Sequence, residues 1–360
     1  TGALGRVNYS NFVDNTAKNN GGAIYLTGSS DGLCENTTFD NCYFGSNEAG
    51  LNGGAIDWYR GAFNGTITNS IFENNIANRS GGAIHWSGYY GTVSNSNFTG
   101  NKATGEVISD IGGVLGGGDG GAVIWVGSHG IIKDNCNFIN NFAKYRGGAV
   151  FLHGNDTENC TNTTVTNCNF EDNVAGLNGG AIDWQHGTTY GNLTYSNFTN
   201  NTAWRSGGAV YWNGLYGDIL YCIFDDNHAI GNVTAHDRPD VAVYSNEGGH
   251  GGAVIWTGSH GEVYYSNFVN NTAKNNGGAV YLQSGTYGEC QNTTFDNCYF
   301  GENEAGLNGG AVDWFRGASL GKVLNSVFEN NIANRSGGAI HWSGHYGTIS
   351  NSNFTGNNAT

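Results

Sequence analysis

The sequence predicts an all-β chain wound as a parallel β-helix of about twelve rungs. Three observations carry that expectation: a composition suited to turns and strands, two short motifs alternating along the whole length, and a repeat too short to fold alone. The 360 residues include 61 Gly, one Pro (Pro239) and no Met, with 13% aromatic and only 12% charged side chains. Glycine at 61 of 360 is far above the usual ~7%. It does not fall at every third place and proline is almost absent, so collagen is excluded. Abundant aromatics with few charges are the reverse of a solvated coil, and few Leu, Lys and Glu argue against long helices.

The repeat comes first because it decides the fold. F-x-x-N-x-A occurs twelve times, beginning at Phe12, Phe44, Phe72, Phe98, Phe138, Phe170, Phe198, Phe224, Phe268, Phe300, Phe328 and Phe354. G-G-A-[IV]-x-[WL] occurs eleven times, with Ala at 23, 55, 83, 122, 149, 181, 209, 253, 279, 311 and 339. The two alternate strictly. The spacings 32, 28, 39, 27, 32, 28, 44, 26, 32 and 28 repeat every four rungs, giving super-repeats of about 5–130, 131–260 and 261–360, the last truncated. SGGAIHWSG at 80–88 returns at 336–344. Residues 1–360 therefore read as one β-helix and as a piece of a longer repeat protein.

Each rung reads as two or three short strands separated by Gly turns and an Asn corner. Such a rung cannot bury its own apolar face, and stacking supplies the missing partner. A propeller needs four strands per ~40–45 residues, which the shorter rungs cannot supply. Period-2 logic puts the [IV] and [WL] positions on one inward face: Ile56, Ile84 and Val123, for example, with Trp58, Trp86 and Trp125 two places on. The variable residue between them (Tyr25, Asp57, His85, Ile124, Phe151, Asp183, Tyr211, Ile255, Tyr281, Asp313, His341) then faces outward, and the Ala of GGA shares that parity as a crowded position beside the turn. The twelve motif asparagines, Asn15, Asn47, Asn75, Asn101, Asn141, Asn173, Asn201, Asn227, Asn271, Asn303, Asn331 and Asn357, are expected to form a ladder bonding their own backbone and the amides one rung up and down.

GGA[IV] alternating with FxxN resembles the repeats of chlamydial polymorphic membrane proteins, and in its Asn/Gly-rich, Met-poor style it is still more similar to the adhesin-like surface proteins of methanogenic archaea. The resemblance spans essentially the whole chain. It implies a right-handed solenoid, export and a surface role, and it says little about ligand. The chain departs from the pattern in lacking a signal, an autotransporter barrel and a wall anchor.

Eight cysteines occur. Cys34/Cys42, Cys160/Cys168 and Cys290/Cys298 share one frame in the Leu-type rung, where an insertion lengthens the path to the Phe. Cys34–Cys42, Cys160–Cys168 and Cys290–Cys298 disulfides clipping that bulge are the expectation, with packed free thiols as the alternative. Cys136 and Cys222 take the same small inward position without a local partner and read as buried thiols, with a Cys136–Cys168 bridge between rungs as the competitor. No C-x2-C occurs and the histidines are scattered, so zinc is not expected.

Parallel β-helices include polysaccharide lyases and hydrolases, and these need paired carboxylates or a base with a cation. Asp57 with His85, and Asp313 with His341, stand on successive rungs, while the middle super-repeat has Asp183 and Tyr211. A constellation repeated and then altered is a surface pattern, and these residues are candidate ligand contacts with no catalytic role. The inserted loops 104–119 and 231–250 differ strongly between super-repeats, and the second holds His236, Asp237 and Asp240. Ligand selectivity is expected there, since binding residues favour loops on a rigid scaffold. No cofactor is expected, with Ca2+ as the one alternative kept open. The GSHG turns with His129 and His260 read as plain turns.

A net charge of −15 repels nucleic-acid backbones and anionic membrane surfaces, and no apolar run is long enough to span a bilayer. Sequons at Asn36, Asn78, Asn97, Asn162, Asn292 and Asn334 are candidate glycan acceptors and a weak cue for export. The function expected is a non-enzymatic, extracellular cell-surface adhesin or rigid stalk. Its expected partners are glycans or proteins of another cell. A filament subunit stacking on further copies of itself, and a polysaccharide lyase or hydrolase, are the alternatives.

Overall fold

The computed structural model describes residues 4–28, 34–105, 117–154, 160–185, 187–231, 248–284 and 290–360. By compactness the chain divides into two units, residues 1–175 with 187–192 and residues 176–186 with 193–360. Both are parallel β-helices built from the same rung, and the described residues contain no helix.

Residues 66–89 show how the sequence makes a rung. Thr66–Thr68 ends at Asn69, which takes a left-handed backbone (φ 50°) and turns the chain. Ile71–Glu73 ends at Asn74 (φ 54°), Ile76–Ala77 follows, and Gly81 (φ 69°) leads into Ile84–Tyr89. Asn tolerates the left-handed region better than most residues, which accounts for much of the chain's asparagine. Four strand segments per rung replace the two or three expected, because the Asn corner cuts F-x-x-N-x-A into two strands. The second Gly of GGA is fixed by crowding: a Cβ on Gly54 would lie 2.0 Å from the carbonyl oxygen of Gly82 on the next rung.

The strand pairings within each unit are parallel and, apart from a register shift between Trp86 and Gly88 and the pairing of Cys34 with Ala62, in register. Thr66↔Thr92, Phe72↔Phe98, Ala77↔Ala103 and Ile84↔Val123 join the same positions of successive rungs in the first unit. Val210↔Val254 and Phe224↔Phe268 do so in the second. In-register stacking turns each sequence position into a column. Phe44, Phe72, Phe98, Phe138 and Phe170 stack with ring centroids 4.7–4.8 Å apart, the spacing between neighbouring strands. Trp184, Trp212 and Trp256 stack at 4.4 and 4.9 Å. The [IV] and [WL] columns are inward as expected, and the Ala of GGA is buried in every rung except at Ala23.

The Asn column is a continuous hydrogen-bonded chain within each unit. Asn101 Oδ1 accepts from the backbone N–H and Nδ2 of Asn75, both at 3.0 Å, and Asn101 Nδ2 donates to Phe72 O and Asn141 Oδ1, both at 3.0 Å. Asn227, Asn271 and Asn303 repeat the pattern. These bonds run to neighbouring rungs and not to the residue's own backbone.

All eight cysteines are buried, and no disulfide joins Cys34 to Cys42, Cys160 to Cys168 or Cys290 to Cys298 in this structure. The physical reason is that the two thiols of each frame face different partners. Cys34 Sγ lies 3.8 Å from Thr37 Oγ1, whereas Cys42 Sγ lies 3.4 Å from the carbonyl oxygens of Val7 and Asp40. Cys160 and Cys290 likewise sit against Thr163 and Thr293. Burial pushes the Cys160 thiol up to about 11 and Cys290 and Cys298 up to about 12, which suppresses the reactive thiolate. Cys136 and Cys168 are register partners on neighbouring strands.

Candidate functional site

The column of variable residues after GGA[IV] is the candidate site, and its setting corrects the sequence reading. Tyr25 is exposed, but Asp57, Asp183 and Asp313 are fully buried, as are Ile124, Phe151, Ile255 and Tyr281. His85, Tyr211 and His341 are half-buried. Neighbouring side chains cover what period-2 logic turned outward. Phe151 packs with Ile124 and Val126 beneath the Arg146 guanidinium, 4.6 Å from its ring, and Tyr281 is flanked by His250 and Phe315.

Within this column, in-register stacking places Tyr25, Asp57 and His85 one above another in the first unit, and Tyr281, Asp313 and His341 in the second. His85 Nδ1 lies 2.6 Å from Asp57 Oδ1, and His341 Nδ1 lies 2.8 Å from Asp313 Oδ1. Each carboxylate leaves its Oδ2 buried without a hydrogen-bond partner. An Asp on Nδ1 orients the imidazole and leaves Nε2 to meet whatever reaches it. In the middle super-repeat Asp183 Oδ1 instead accepts from Gln185 Nε2 at 2.9 Å, and Tyr211 takes the place of the histidine. The structure thus joins four of the named candidates into two like pairs and sets Tyr211 beside a third Asp. His236, Asp237 and Asp240, with most of the loops 104–119 and 231–250, lie outside the described residues. Among the described residues no three His, Cys, Asp or Glu side chains converge on a metal-sized space, and no helix is long and apolar enough to cross a membrane.

Burial pushes the Asp313 carboxyl up to about 6, with the His341 contact opposing the rise. An Asp whose pKa is higher folded than unfolded binds its proton more tightly in the native state, so its contribution to stability falls as pH rises from about 4 to about 6. Asp313→Asn keeps an acceptor for His341 and never ionises. Its stability relative to the parent is expected to improve by about 1–3 kcal/mol between pH 4 and pH 7. Thermal melts of both proteins at the two pH values check this, and a difference independent of pH contradicts it.

Sequence reasoning missed a surface group on other corners of the rung. Tyr195, Tyr221 and Tyr265 stack at 4.9 Å on an exposed corner, and Tyr216 stacks on His260 at 4.8 Å. All five residues have a left-handed backbone. The available signal was Tyr at places where the other rungs have Asn before the Ser or Cys preceding the Phe.

Four segments, 9–27, 69–85, 265–283 and 325–341, match the Chlamydia polymorphic membrane protein repeat. No curated protein sequence matches the chain. Among solved structures the chain is similar to a mannuronic acid specific polysaccharide family 6 lyase from human gut microbiota, at 8% identity and TM-score 0.45, over 98% of this chain and 87% of that one. It is also similar to a PL6 alginate lyase solved with a trisaccharide, at 10% identity and TM-score 0.45, over 97% and 79% of the chains. A third likeness is to the gp49 tailspike of the Acinetobacter baumannii bacteriophage Fri1, a capsular polysaccharide depolymerase, at 10% identity and TM-score 0.35, over 91% and 57%. These likenesses are of fold and carry no argument about activity.

Proposed function

We propose that the chain is a non-enzymatic cell-surface β-helix, an adhesin or stalk that presents repeated outer columns to glycans or proteins of another cell. The observation that carries this reading is the doubling of the Asp–His pair. The same residues meet at 2.6 and 2.8 Å in two places and are altered in the third. A catalytic centre is a single constellation tuned around one substrate, whereas a surface that holds on by many weak contacts profits from repetition. The polymorphic-membrane-protein-type repeats support a surface setting.

The full chain, immobilised at low and at high density on a glycan array, is expected to bind weakly at low density and much more strongly at high density. No binding to any glycan or to cell-surface protein extracts at either density leaves the adhesin reading without support and favours a passive stalk.

A further inference from the structure

One outer strip of the second unit departs from its sister rungs while the core beneath it does not. Residues 213–222 (NGLYGDILYC) correspond to 87–96 (SGYYGTVSNS), and 258–265 (GSHGEVYY) to 127–134 (GSHGIIKD). Inward Ile219 and Val263 are buried like Val93 and Ile132. Outward, Asp218 stands for Thr92, Leu220 for Ser94, Tyr221 for Asn95, Glu262 for Ile131 and Tyr264 for Lys133.

The residues of this strip line a trough. Asp218 is the register partner of Glu262, and Leu220 of Tyr264, on adjacent strands. One side is walled by the Tyr216–His260 stack, which the sister strip also has as Tyr90–His129, and the other by the Tyr195–Tyr221–Tyr265 stack, which the sister strip lacks. Folding gains little from either feature. Tyrosine in the left-handed region is costly, and apart from Tyr9 sister corners such as Asn69, Asn95, Asn325 and Asn351 carry Asn there. Tyr195, Tyr221 and Tyr265 stay 60%, 46% and 51% exposed, so burial does not offset that cost. Two carboxylates directly opposite on neighbouring strands repel. Among the described residues neither Asp218 nor Glu262 is ion-paired, and the Lys of the sister strip has become Tyr264.

We propose that this strip binds an amino-bearing glycan, its sugar rings against the tyrosine and histidine walls and its ammonium groups on the Asp218–Glu262 pair. The cation that the carboxylates lack then arrives with the ligand, as a charge-assisted hydrogen bond, and Tyr264 adds an aromatic face to it. An anionic glycan would be repelled, and a fully acetylated one would leave the two charges facing each other. Burial and the Glu262 charge push Asp218 up to about 6, so binding weakens as pH falls through that value and the carboxyl takes up a proton. The proposal names the site and ligand class within the adhesin reading and rests on it.

The test is calorimetric titration of the full chain with a de-N-acetylated chitin oligosaccharide, its acetylated counterpart and poly-lysine. Two variants carry residues the chain already uses on sister rungs, Y221N/Y265N and D218T/E262T, so folding is preserved and is checked by melting. The amino glycan is expected to bind, with affinity falling about tenfold or more in each variant and on acetylation. Unchanged affinity in either folded variant, or equal binding of the acetylated sugar, overturns the proposal. Poly-lysine binding as tightly as the sugar and indifferent to Y221N/Y265N also overturns it, since the strip would then read charge alone. If a different glycan binds the chain and ignores all four substitutions, the trough is wrong and the adhesin reading stands. If no glycan binds, the trough proposal falls and the adhesin reading rests on protein ligands alone.

Discussion

Replacing Trp212 by Ala is expected to lower stability by about 3–5 kcal/mol, the usual cost of emptying a large aromatic site. Trp212 is fully buried between Trp184 and Trp256, with ring centroids 4.4 and 4.9 Å away. Its neighbours belong to rungs whose backbones are tied to one another, so the hole cannot collapse without breaking register. Trp212→Phe is expected to cost far less than its loss of volume suggests. The indole Nε1 is buried without a hydrogen-bond partner, and removing an orphaned donor recovers part of its desolvation cost, about 1–3 kcal/mol. Denaturant unfolding of the two variants checks the pair. Equal losses would mean that the indole N–H is satisfied in solution.

The second large effect belongs to the asparagine column. Asn101→Ala strips acceptors from the backbone N–H and side-chain amide of Asn75 and a donor from Phe72 O. Each buried group left unpaired costs about 1–3 kcal/mol, so a total of several kcal/mol is expected. Asn357 makes the same kinds of bond, accepting from Asn331 at 3.0 and 2.8 Å and donating to Phe328 O at 2.8 Å, but it is only part-buried. Water can replace what Asn357→Ala removes, and its melting shift is expected to be clearly smaller. Equal shifts for the two variants would contradict a ladder whose strength comes from burial.

Most of the fold was legible because a solenoid writes its period into its sequence. Phe at +0, Asn at +3 and Ala at +5 mark the same three places on every rung, and in-register stacking makes each mark a column. The four-strand rung was not legible, because two-residue strands such as Ile76–Ala77 are too short to show alternation. The covered state of Asp57 and Asp313 was not legible either. Parity tells which way a side chain leaves the strand, not what lies over it, and a covering group can come from the rung's own turn, as Arg146 does over Phe151, or from the neighbouring rung, as His250 does beside Tyr281. The surroundings of the thiols were not legible for a related reason. Short spacing brings Cys34 and Cys42 close along the chain, whereas turn geometry decides which way each sulfur faces. The tyrosine corners were hidden by familiarity, because Tyr221 reads as an ordinary strand aromatic until its left-handed backbone (φ 55°) is seen.

The measurement that tests the account most directly is the fate of a bound glycan. The full chain is incubated over days with each polysaccharide it retains, and chain length and end groups are followed by mass spectrometry. Stable binding with no shortening and no new unsaturated or reducing ends is expected. Steady product formation that disappears in an Asp57→Asn, Asp313→Asn double variant, still folded and still binding, would make the Asp–His pairs catalytic and contradict the proposed function.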